Sequence, residues 1–71
     1  MQNNKKLSEL KNGLPYGGLN ELAERTGLTR TTIYNIFEGK KAVLKNVKKV
    51  VEESTKIISE YQELTGQNQD T

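Results

Sequence analysis

Apolar residues recur three and four positions apart along most of this chain, which is the period of helices with one buried face. Leu7 and Leu10 mark a first short helix from about Asn4 to Asn12, with Gly13 as its left-handed stop. A second helix starts near Gly18, presents Leu19, Leu22, Ala23 and Thr26 on one face, and ends at Gly27. Thr29 is a good N-cap for a third, whose Ile33, Ile36 and Phe37 form one buried stripe before Gly39 stops it. The fourth should run from Val43 or Leu44 to about Leu64, without a good cap at its start. No window alternates with period two, so no strand is expected. The pattern predicts an all-α fold: a small bundle of about four helices, the last one long.

Between the first two helices, Gly13-Leu14-Pro15-Tyr16-Gly17-Gly18 should be a loop, with Leu14 and Tyr16 as lids on the core. The long helix carries one apolar row at Leu44, Val47, Val51, Ile58 and Tyr61 and a second at Val43, Val50, Ile57 and Leu64. That stripe is wider than a small three-helix core covers. Its C-terminal half, residues 52–66, either packs on a second copy or folds back over the first helix and the Tyr16 loop. Residues 1–66 are expected to form a single domain, and 67–71 a frayed polar tail.

Composition narrows the functional classes. At 71 residues and 32% hydrophobic, only one thin core is available, since a chain near this size buries roughly 60% of its unfolded surface. A stabilising partner or homodimer is therefore attractive. The chain has no histidine and no cysteine, which removes the usual general base, the usual zinc ligands and any disulfide. No enzyme activity, cofactor or metal is expected. The start, MQNNKKLSEL, has lysines without an apolar stretch behind them, and no segment approaches membrane-spanning length. A soluble, cytoplasmic protein with no membrane partner is the expectation.

Charge changes the picture more by its placement than by its total of +2. Residues 1–24 sum to zero, and 50–71 to −4, while 25–49 hold Arg25, Arg30, Lys40, Lys41, Lys45, Lys48 and Lys49 against Glu38 alone, a net of +6. A basic middle joined to an acidic end suggests a polyanion-facing surface and an opposite face that avoids it. The competing account is a set of solvated lysines on an ordinary exposed helix.

The third helix decides between them. With Ile33, Ile36 and Phe37 inward, 100° per residue puts Thr31, Asn35 and Glu38 on the opposite face, Tyr34 beside them and Arg30 at the exposed start. Helix stability alone would favour Ala, Glu, Lys and Gln there, not a run of threonines. These short polar side chains suit close approach to another surface. The major groove of B-DNA admits a helix, where Asn pairs with adenine, Arg with guanine, and Thr meets a base, a thymine methyl or a phosphate. Arg30, Thr31, Tyr34 and Asn35 are the candidate base readers; Thr29, Thr32, Lys40, Lys41 and Lys45 are candidates for phosphates or flanks. Tyr34 is either a groove contact or a partly packed ring, and Glu38 is out of place beside phosphates.

Ala23, Gly27, Leu28, Ile33 and Ile36, with Leu22 before and Phe37-Glu38-Gly39 after, resemble the helix-turn-helix of the lambda-repressor-like superfamily of phage repressors, Cro proteins, XRE-type regulators and LacI-type headpieces. The likeness covers Leu7 to about Val51. It implies that Thr29 to Phe37 form a recognition helix, with Thr29, Arg30, Thr31, Tyr34 and Asn35 touching double-stranded DNA. Two features depart from it: Gly18 stands where a cap is expected, and the last helix is longer. A transcriptional regulator acting as a homodimer is the expected function. A protein-interaction or antitoxin-like module built on the same scaffold is the alternative.

The remaining motifs are weaker. Gly39-Lys40-Lys41 lacks phosphate-loop spacing, Glu52-Glu53 and Glu60-Glu63 read as a solvated face, and Tyr61 as packing.

Overall fold

The computed structural model describes residues 5–66, so Asn4 and the expected tail at 67–71 lie outside the described residues. Four helices follow one another: α1 (Lys5–Gly13), α2 (Gly18–Thr26), α3 (Arg30–Phe37) and α4 (Leu44–Thr65). No strand occurs among the described residues. At 22 residues and 1.5 Å per residue, α4 is about 33 Å long. The principal dimensions are 38 × 28 × 17 Å. The three short helices all pack against it or against each other, α2 most extensively.

The core is small. Leu22, Ile33, Ile36, Phe37, Val50 and Ile57 are buried, with Leu7, Leu10, Leu14, Leu19, Ala23, Leu28 and Val47 packed around them. The expected stripes of α1, α2 and α3 therefore face the core, and those of α4 do so in its middle only. The α2–α3 turn is tied from inside by Thr26, whose hydroxyl donates to the Leu22 carbonyl at 2.8 Å and accepts from the Leu28 N–H at 3.2 Å. Both partners lie at the end of α2 or in the turn, so burying this polar side chain leaves no unmet group.

Gly27 ends α2, as its position predicted, in left-handed geometry at φ 78°, and its N–H donates to the Ala23 carbonyl at 2.9 Å. A Cβ built there meets nothing within 4 Å. Gly27→Ala should thus lose only the backbone term, about 1 kcal/mol, with Gly27→Asn losing less. Urea unfolding midpoints of the two variants would check the order.

Gly13 is a correction. It does not adopt a left-handed conformation but is the last residue of α1, and the positive-φ role falls to Gly17, the N-cap residue of α2 at φ 81°. The reason is the crossing of α1 and α4: a Cβ on Gly13 would stand 3.2 Å from Ile58 Cδ1. Tyr16 is a second correction. Leu14 is half-buried on the core, but Tyr16 is fully exposed. It occupies a central position of the turn closed by Gly18 N–H donating to the Pro15 carbonyl at 2.8 Å, where a side chain faces outward.

Along α4 the rows behave differently at the middle and the ends. Val50 and Ile57 are buried and Val47, Val51 and Ile58 half-buried, whereas Val43, Leu44 and Leu64 are exposed and Tyr61 is 40% exposed. The helix does fold back over α1 and α2, but the Tyr16 loop does not cover its C-terminal end. Ser54 fills the step between Val50 and Ile57 and is fully buried, with no hydrogen-bond partner for its Oγ among the described residues. Ser54→Ala removes an unmatched hydroxyl and improves helix propensity, so a gain of about 1 kcal/mol is expected in chemical denaturation.

Candidate nucleic-acid interface

The face of α3 away from the core is built from its N-terminus onward. Thr29 is the N-cap, in extended geometry. The Thr32 N–H donates to Thr29 Oγ1 at 3.1 Å, and the Thr29 hydroxyl donates to Thr32 Oγ1 at 3.0 Å. The hydroxyls of these two threonines are therefore engaged in capping the helix, a role their short side chains explain without any ligand.

Thr31 is exposed and Asn35 half-buried. Neither side chain makes a hydrogen bond among the described residues. Their donors and acceptors are left to whatever meets this face. Tyr34 is 46% exposed, and Lys11 Nζ lies 5.2 Å from its ring centroid, a cation–π contact that ties α1 to α3. Of the two alternatives for Tyr34, the partly packed ring is what the fold gives: the ring rests on Lys11 and the rest of it reaches solvent. Arg30 is exposed, and its Nη1 donates to Asn20 Oδ1 on α2 at 2.8 Å.

Glu38 is exposed, and its N–H still donates to the Tyr34 carbonyl at 2.9 Å. The helix ends at Phe37 and Glu38 is the C-cap residue, with Lys40 Nζ 3.6 Å from its carboxylate. Both side chains are more than half exposed, so this pair holds little energy and neither charge is withdrawn from solvent. Lys41, Lys45, Lys48 and Lys49 are exposed and have no ion pair among the described residues. Lys40 and Lys41 lie in the segment joining α3 to α4, and Lys45 in the first turn of α4.

Arg25 leaves the basic set to which sequence assigned it. Its Nε donates to Glu21 at 2.9 Å and its Nη2 to Glu60 at 2.7 Å, and Glu53 stands 3.6 Å away. The Glu60 hydrogen bond, followed by the Glu21 one, raises the guanidinium pKa further above its ordinary value. The same hydrogen bond from Arg25 holds the Glu60 carboxyl below its usual 4.5, against a smaller opposing effect of desolvation. Glu53 and Glu60 are thus more than a solvated face: they fasten α4 to α2. Because Glu60 is lowered in the folded state, its contribution is present above the unfolded carboxyl value and is lost as pH falls through the folded one. Melting temperatures of the wild type and Glu60→Gln should differ near pH 7 and converge as pH drops below 4.5.

Asn20 and Lys11 were not expected at this surface. Each is an ordinary polar residue on its own helix, and only the packing of α1 and α2 against α3 brings them to it. No helix among the described residues is long and apolar enough to cross a membrane. No family model, curated protein or solved structure matches the chain.

Proposed function

We propose that this protein binds double-stranded DNA sequence-specifically through a helix-turn-helix formed by α2 and α3, as a small transcriptional regulator of the lambda-repressor-like kind. One observation carries the reading. The aliphatic side of α3 is closed on the core, while Thr31 and Asn35 have side-chain polar groups with no hydrogen bond among the described residues, followed in the chain by exposed lysines of which Lys41, Lys45, Lys48 and Lys49 have no carboxylate partner among the described residues and Lys40 only the exposed Glu38. Such an arrangement separates base reading, on α3, from phosphate holding, by Lys40, Lys41 and Lys45.

Acting as a homodimer, the protein would set two α3 helices one DNA turn apart, ~34 Å, and favour a roughly palindromic site. Duplexes recovered from a random pool, followed by fluorescence anisotropy across a salt series, test this directly. A single recovered motif bound with a steep salt dependence is expected. Absent or salt-insensitive binding would remove the proposal.

A second reading, a protein-interaction module, is favoured by the open groove at the far end of α4, lined by both apolar side chains and the Glu21–Arg25–Glu60 ion pairs. Tyr16, Tyr61 and Leu64 are exposed around it, with Ile57 at its base. Light scattering separates the two: a clean homodimer supports the regulator, and a concentration-sensitive, self-associating monomer points to a missing partner protein.

A further inference from the structure

Two arginines flank the α2–α3 turn, and they are held in opposite ways. Arg25 is enclosed by the carboxylates of Glu21, Glu53 and Glu60. Arg30 is held by a neutral group: its Nη1 donates to Asn20 Oδ1 at 2.8 Å, and no carboxylate pairs with it among the described residues. Arg30 is also the first residue of α3, at the end of a helix dipole that disfavours a cation. Helix stability would be better served there by an acid, or by an acid at position 20 to neutralise the arginine. The amide instead fixes one N–H of the planar fork and leaves the positive charge and the remaining donors intact.

We infer that Asn20 is a positioning residue for base recognition: it orients the Arg30 guanidinium for a bidentate contact with the O6 and N7 edge of a guanine. This rests on the DNA-binding reading above. The physical basis is preorganisation. A long, exposed arginine loses rotamer freedom when it settles on a base edge, and one already oriented before the encounter loses less. An ion pair would orient the guanidinium equally well but would cancel the charge that draws it to DNA. An amide acceptor gives the orientation alone.

The test uses the full chain and the duplex it selects, with every base pair of the site varied in turn. Asn20→Ala should lower the preference for guanine at one position on the order of tenfold, leaving the other positions and the salt slope unchanged. The Asn20→Ala, Arg30→Ala double variant should match Arg30→Ala alone, because the first residue acts only through the second. Asn20→Asp keeps an acceptor but adds a negative charge, so it should weaken binding to every duplex while preserving the guanine preference. A uniform loss of affinity in Asn20→Ala, additive losses in the double variant, or a lowered unfolding midpoint with discrimination intact would each overturn the inference. Failure of the wild type to bind any duplex at low salt would overturn the DNA-binding reading itself, and is recognisable before any variant is made.

Discussion

Replacing Ile33 by alanine is expected to lower the unfolding free energy by about 2–5 kcal/mol. Ile33 is fully buried among only a few core side chains, and a chain of this length has a total stability of roughly 4–10 kcal/mol. A domain this small shifts its melting temperature by about 4–8 °C per kcal/mol, so a fall on the order of 20 °C should be visible by circular dichroism. Thr31→Ala, two residues away on the exposed side of the same helix, should change stability by less than about 0.5 kcal/mol. If the two variants melted together, α3 would not be anchored by its aliphatic side, and its polar face would have no fixed direction. DNA affinity of Ile33→Ala should fall in step with the folded fraction, which separates loss of the scaffold from loss of a contact.

The second large effect concerns Asn35 and Lys45 and needs the folded protein. Asn35→Ala should cost about 1–3 kcal/mol of discrimination at one base pair, the loss of a bidentate contact with adenine, with little change in the salt slope. Lys45→Ala should weaken binding to all duplexes alike and make the salt slope shallower by about one. Competition binding on duplexes varied at each position, repeated at several salt concentrations, measures both. The division follows from placement: Asn35 is on α3 with no hydrogen bond for its amide among the described residues, whereas Lys45 is an exposed cation at the start of α4. Equal behaviour of the two variants would mean that α3 holds phosphates and reads no bases.

The contrast between the two arginines carries a more general lesson about charge counting. Summing residues 25–49 assigns Arg25 and Arg30 to the same basic surface. In the folded chain Arg25 contributes no net positive field there, because the acids that surround it include Glu53 and Glu60 from α4. The basic surface differs from the one the composition suggests: it loses Arg25, keeps Arg30 and the lysines between positions 40 and 49, and gains Lys11 beside Tyr34. The acidic C-terminal half therefore has an internal role, fastening the long helix to α2 through Arg25.

Helix limits, the stop at Gly27 and the cap at Thr29 were legible in the residues themselves, because each depends on hydrogen bonds and backbone angles within a few positions. The same holds for the inward direction of Ile33, Ile36 and Phe37, since one turn of helix settles which side chains share a face. What needed tertiary structure was every feature that depends on one helix crossing another. Gly13 lies against Ile58, Ser54 is buried where a polar residue would be assigned to solvent, and Tyr16 points away from the core. Arg25 reaches Glu60, Arg30 reaches Asn20, and Lys11 lies over Tyr34. Periodicity specifies direction around one helix axis and carries no information about where a second axis passes. Packing of the four helices decides that, and with it which polar side chains remain unengaged at the surface.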